Sequence, residues 1–431
     1  MADRTTATRD ASHRDIGRRR SLILAPRTFA LPKSMPGARA LKHAAAWLCA
    51  AALLGCATPN EHALRGTGDL GVVVERAAGR IQIVETTGMT RLATVSGLGD
   101  LSHASVVFSR DGRYAFVFGR DGALSRVDLL TAQITHRTMQ AGNSIGGAIL
   151  QDGSVVAAQN YAPGGIRLFD ARTLAPLADI PAIGADGRRS KVVGLADLPG
   201  RRLAASLFEA GEVWILDVAD PRQPVITKLK AGREPYDGLV TPDGRWYIAG
   251  LFGEDGLALV DLWQTPVATR KVLDGYGRGE TRLPVYKMPH LRGWAMAQGK
   301  AWLPAVGRHE VLVADPAADW REAGRVAMAG QPVFVMARPD GRQVWVNFAF
   351  PDNGIVQVID TATRQVVHTL RPCRGVLHME FAPKGESVWL SCRDDNRVEV
   401  YDTQTFARLA TLPADQPSGI FFTARAHRFG M

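Results

Sequence analysis

The 431-residue chain is 46% hydrophobic and 22% charged, a composition that excludes wholesale disorder and suits one large or two medium domains. Its net charge of +10 is unevenly placed, because residues 1–56 hold ten Lys/Arg against three Asp and the remainder is close to balance. Phosphate binding needs a concentrated basic stripe rather than a basic leader, so nucleic acid is excluded as a partner.

The leader comes first in the chain. Residues 35–58, MPGARALKHAAAWLCAAALLGCAT, carry a basic start and then an apolar run too short to span a bilayer comfortably, which reads as a signal h-region. Leu53-Leu54-Gly55-Cys56 resembles a bacterial lipoprotein cleavage box, which implies lipidation of Cys56. The expected organisation is an N-terminal extension with a lipoprotein-type signal peptide (1–56), a short linker (57–66) and one folded domain (67–431). The expected location is the periplasm, with membrane contact only through a lipid anchor at the outer membrane. Beyond the leader only Cys373 and Cys392 remain, too few for a disulfide framework. No Cys-x-x-Cys-His motif attaches a c-type haem, and no zinc-spaced Cys/His cluster occurs.

From residue 67 onward the chain repeats. Glycine turns flanked by apolar runs appear as SRDGRYAFV (109–117), LQDGSVVAA (150–158), LPGRRLAAS (198–206), TPDGRWYIA (241–249), AQGKAWLPA (297–305), RPDGRQVWV (338–346) and APKGESVWL (382–390). Each predicts a hairpin. A second marker, an alternating strand closed by an acidic residue, recurs at Glu85, Asp128, Asp170, Asp217, Asp261, Asp315, Asp360 and Asp402, at intervals of 42–54 residues. Eight such units, of the length of a four-stranded propeller blade, predict an all-β, eight-bladed β-propeller. The first unit lacks an early hairpin, so the C-terminal segment PSGIFF is expected to complete it and close the ring without an exposed edge. The longest interval contains an insertion, DGYGRGETRLPVYKMPH (274–290).

The first strand of each blade lies nearest the axis of a propeller, so residues just before it, and residues ending the second strand, share one mouth of the channel. Counting from each turn glycine gathers His103, Lys191 and His290 at one offset, Asp237, Arg292, Phe334 and His378 at a second, and Arg120, Tyr161, Phe208, Phe252 and Arg393 at a third. Such a mouth suits a planar apolar ligand bearing several carboxylates: aromatics cover its faces, arginines pair its acids, and an imidazole can ligate a central metal. Asp197 stands farther down its strand, as either a catalytic acid in the channel or a turn residue. The glycine-rich GYGRG and GNSIGG open no helix after a strand, and no nucleophile motif such as G-x-S-x-G is present. A lactonase-like hard-cation site is disfavoured, since it needs a carboxylate-rich mouth rather than a cationic one.

The segments DLSHASVVFSRDGRYAFVFGRDG, GNSIGGAI, KVVGL, QPVFVMARPDGRQVWVNFA, GVLHMEF and PSGIFF resemble the NirF family of haem d1 biosynthesis, and more distantly the d1 domain of cytochrome cd1 nitrite reductase. The resemblance implies haem d1 or an iron-tetrapyrrole precursor as ligand, with His103 in the place of the axial metal ligand, and a late dehydrogenation or side-chain modification as the chemistry. The alternative is a non-catalytic carrier or scaffold that delivers the tetrapyrrole. MPHLRGW resembles the segment supplying a distal histidine, which falls on His290 with Arg292 beside it. EPYDGLV offers Tyr236 and Asp237 where the reductase has another histidine, a departure that argues against nitrite reduction. Arg120, Lys191, Tyr236, Arg292, His378 and Arg393 are then ligand-binding candidates, and Asp237, His290 and Asp197 proton-exchange candidates. Implied partners are other haem d1 biosynthesis proteins and cytochrome cd1 nitrite reductase.

Overall fold

The computed structural model describes residues 66–276 and 293–430. Cys56, His290 and Arg292 lie outside the described residues, as does most of the 274–290 insertion.

Local chemistry explains the repeat. The seven turn glycines Gly112, Gly153, Gly200, Gly244, Gly299, Gly341 and Gly385 all adopt φ between 67° and 76°, a left-handed conformation that side chains disfavour and the tight turn requires. At the first of these turns the Gly112 amide donates to the Ser109 carbonyl at 2.8 Å, and Asp111 accepts from the Arg113 amide at 3.1 Å. The acidic markers do a second job. Asp128, Asp170, Asp217, Asp261, Asp315, Asp360 and Asp402 each accept a backbone N–H two residues on, which bends the chain from a blade's third strand into its fourth.

These turns join four-stranded antiparallel sheets, and eight of them form an eight-bladed β-propeller. Blades 2 to 8 are consecutive: residues 105–139, 143–181, 192–230, 235–272, 295–327, 332–370 and 376–413. Blade 1 combines Leu70–Glu75, Arg80–Glu85 and Thr90–Val95 with the C-terminal strand Pro417–Phe422. Gly71 pairs with Phe422 and Val73 with Ile420, so the two ends of the domain are hydrogen-bonded together, as the missing early hairpin predicts. Middle strands such as Val155–Ala162 and Ser387–Cys392 read as nearly continuous buried runs, because both faces pack on neighbouring blades. Outer strands such as Gln133–Met139 are largely exposed. Trp214, Trp302, Trp345 and Trp389 are buried between the sheets. In blade 6 the inner strand shrinks to Ala295–Ala297, directly after the insertion.

Cys373 and Cys392 form a disulfide. It ties the loop before the inner strand of blade 8 to the end of that blade's second strand, where Cys392 already pairs with Val376.

Candidate functional site

The inner strands begin, and the second strands end, around one mouth of the channel. On blades 7, 8, 1 and 2 this mouth opens into a cavity of about 670 Å³, a size suited to a cofactor-scale ligand. Phe334, Phe348, Phe350 and Phe421 supply apolar surface, and Arg76, Arg120 and Arg393 supply charge. His103, on the turn just before Ser105–Phe108, and His378, on the inner strand of blade 8, also line it. Five predicted residues, His103, Arg120, Phe334, His378 and Arg393, are therefore brought together.

Arg76 belongs with them and the counting above passed over it. It follows the Gly68 turn of blade 1 by the same eight residues that separate Arg120 from Gly112. The signal was present, but the turn partner of Gly68 lies at the far end of the chain. Burial, and then the neighbouring Arg393 guanidinium, push Arg76 below the ordinary arginine range. Two cations held close in a half-buried wall repel unless an anion joins them. Arg393 is oriented by Asp394 at 2.7 Å. Asp100, also in the wall, is held low chiefly by its hydrogen bond from Ser102.

His378 is fixed in one role. The Ile420 amide donates to its Nδ1 at 3.2 Å, so the neutral ring carries its proton on Nε2. Its ring meets Phe334 edge-on at 5.3 Å and Phe421 at 5.4 Å. Burial, aided by the Arg425 charge, pushes its pKa down to about 3, so at neutral pH it is a hydrogen-bond donor and not a cation.

Across the mouth, on blades 3, 4 and 5, the remaining predicted aromatics form a separate cluster. Phe208, Tyr236 and Phe252 pack with ring centroids 5.8–6.1 Å apart, and the Tyr161 and Tyr236 hydroxyls share a hydrogen bond of 2.8 Å. Burial pushes Tyr161 up to about 12 and raises Tyr236 further. Lys191 lies over Phe208 at 3.7 Å and pairs with Glu209 at 2.9 Å. Lys191 and Tyr236 thus stand outside the walls of the large cavity. The Lys191 carbonyl accepts from the Phe208 amide as Glu234 does from Phe252 and Gln331 from Ala349. Its offset is one residue from the equivalence that grouped it with His103.

Neither of the acids Asp237 and Asp197 stands in the mouth cavity. Asp237 is buried and lines a smaller inner cavity, not the mouth cavity. Asp197 lies at the opposite end of the channel: it pairs with Arg110 at 3.5 Å, accepts from Gln151 and from the Gly430 amide at 3.0 Å, and so holds the C-terminal segment against the hairpin turns. The mouth does not include it, because six residues of strand separate it from Lys191.

Comparison with known proteins agrees with the propeller fold. Residues 65–426 match the cytochrome D1 heme domain family. Protein NirF of Stutzerimonas stutzeri and of Pseudomonas aeruginosa are each 56% identical over 382 residues, covering 88% of this chain and 97% of theirs. The dihydro-heme d1 dehydrogenase of P. aeruginosa is 27% identical over 81% of this chain and 70% of its own. Among solved structures, the dihydro-heme d1 dehydrogenase NirN in complex with DHE superposes with a TM-score of 0.73 at 24% identity, covering 86% of this chain and 78% of its own. AztD of Citrobacter koseri superposes at 0.60 and 12% identity, over 81% and 96% of the two chains, a likeness of fold alone. This chain belongs to the cytochrome D1 heme domain family and, within it, to the NirF proteins.

Proposed function

We propose that this member of a haem d1 biosynthesis family binds a late haem d1 precursor in the mouth cavity and acts on it there. The observation that carries the reading is the cavity wall itself, in which Arg76, Arg120 and Arg393 surround a floor of phenylalanines. The arginines pair with carboxylates on the rim of a planar ligand, and Phe348, Phe350 and Phe421 cover its faces. His103 would be the side chain that holds the iron of such a ligand. Among the described residues no group of three or more His, Cys, Asp or Glu is placed to hold a metal ion, but a tetrapyrrole brings four nitrogens of its own and one imidazole suffices. His378 donates its Nε2–H to the ligand. The reaction on the bound macrocycle would be a late dehydrogenation, its electrons passing to an external acceptor, or a side-chain modification.

The second reading is a carrier that holds the tetrapyrrole for other haem d1 biosynthesis proteins or for cytochrome cd1 nitrite reductase. It is favoured by His378 being locked neutral and by Asp237 lying outside the mouth cavity, which leaves the cavity rich in binding groups and poor in proton-exchanging ones. Optical titration with haem d1 and its dihydro precursor tests the shared part. Saturable shifts for the wild type that change form in His103→Ala support the site, and absence of binding by the wild type overturns it. Turnover of the dihydro precursor, with and without an added electron acceptor, then separates enzyme from carrier.

Export to the periplasm and lipid attachment at Cys56 belong to the same proposal. The Cys373–Cys392 disulfide supports an oxidising compartment. A Cys56→Ala chain that still sediments with outer membranes would overturn the lipid anchor.

A further inference from the structure

Below the mouth cavity lies a second one of about 40 Å³, with Ser105, Gln159, Asp237, Phe421 and Arg425 in its lining. At 10–15 Å³ per occupied water this is room for about three. The lining says what kind of occupant fits. Ser105 is buried and its Oγ has no hydrogen-bond partner among the described residues, a state that costs about 1–3 kcal/mol unless water satisfies it. The Gln159 Oε1 accepts from the Leu195 amide at 2.8 Å, which turns its NH2 into the available end. Arg425 is already neutralised by Glu380, with Nε to Oε1 at 2.9 Å, so the cavity presents no spare cation that would demand an anion. A polar pocket of this size, offering a hydroxyl, an amide and a carboxylate without net positive charge, selects water.

The two cavities are neighbours. Phe421 lines both, and the consecutive residues Ala104 and Ser105 line the mouth and the inner cavity in turn. Arg425 reaches across the same boundary, with its guanidinium over the Phe421 ring at 5.2 Å.

We propose that the inner cavity is a built water site, bound by Ser105, Gln159 and Asp237, and that it serves as the proton store for the ligand in the mouth. The second half rests on the tetrapyrrole reading above. A proton leaving the ligand passes to cavity water and on to the Asp237 carboxylate, which becomes the carboxylic acid; the reverse path returns it, and no electron moves in this step.

The test combines crystallography of the whole domain with ligand measurements on wild type and Ser105→Ala, a variant that removes one hydroxyl and adds no volume. The expected result is ordered water within about 3.2 Å of Ser105 Oγ in the wild type. In Ser105→Ala that water is lost, dihydro-haem d1 affinity stays within twofold, and conversion with an added electron acceptor slows at least fivefold. A dry cavity overturns the water site. With that acceptor present, conversion at the wild-type rate in Ser105→Ala, or a wild type that binds without converting, overturns the proton store. A wild type that binds no tetrapyrrole removes the functional reading and the store with it, while the crystal still decides the water site.

Discussion

The two sides of the mouth are built from similar residue types and arranged in opposite ways. On blades 3 to 5, Lys191 is closed against Glu209 and Phe208, and the Tyr161 and Tyr236 hydroxyls satisfy each other. On blades 7, 8, 1 and 2, Arg76 and Arg393 stand close enough to repel around an open, phenylalanine-lined cavity. The first cluster satisfies itself, whereas the second, with Asp394 and Asp100 beside its arginines, still faces an open cavity. Lys191 and Tyr236 thus close on neighbours of their own, while Arg76 from the first blade lines the open cavity.

Replacing Arg76 and Arg120 together with glutamine tests this contrast most severely. Loss of two charge-assisted contacts of about 2 kcal/mol each should weaken tetrapyrrole binding roughly a thousandfold, while Lys191→Ala changes it less than threefold. Equal losses on both sides, read by optical titration, would erase the distinction. Next in size is the disulfide behind the arginine wall. Cys373→Ser/Cys392→Ser should lower stability by about 3 kcal/mol in chemical denaturation, and ligand affinity should fall because Arg393 follows Cys392 directly. An unchanged denaturation midpoint would show that the bond adds nothing to this wall.

Acid offers a finer probe. A base whose folded pKa, about 3 for His378, lies below its unfolded value of about 6.5 binds fewer protons folded than unfolded across that window. Stability therefore falls as pH drops, by about 2 kcal/mol between pH 6.5 and 5 from this group alone. His378→Asn should flatten that slope, and a mutant with the wild-type slope would mean that other groups set it. The smallest effect belongs to the self-satisfied side: Tyr161→Phe breaks one hydroxyl pair and should cost about 1 kcal/mol without changing ligand affinity. A large affinity loss would move Tyr161 into the site.

The legible part of the site followed from chain-local rules. His103, Arg120, His378 and Arg393 were found by fixed offsets from turn glycines, because a propeller maps equal offsets onto one rim. Arg76 obeys the same offset but sits in the blade whose inner strand comes from residues 417–422, so no hairpin announced it. Lys191 was misgrouped by one residue, since the turn of its blade is tighter, with Leu198 paired to Arg202 around Gly200 where Val240 pairs with Tyr247 around Gly244. Asp237 was read as a mouth residue, and Asp197 as either an acid in the channel or a turn residue. Depth along the channel separates them, and depth depends on where each strand starts.

The eight-fold repeat and the strand-turn alternation were determined by the sequence alone, because glycine turns and aspartate-capped bends are interactions within a few residues of chain, and closure by the C-terminal strand followed from a first unit left one strand short. The joining of Cys373 to Cys392, the division of the mouth into a closed and an open half, and the neutral tautomer of His378 were decided only by tertiary structure. Each depends on which groups from distant strands meet, and charge, burial and hydrogen-bond partner are properties of that meeting rather than of any one segment.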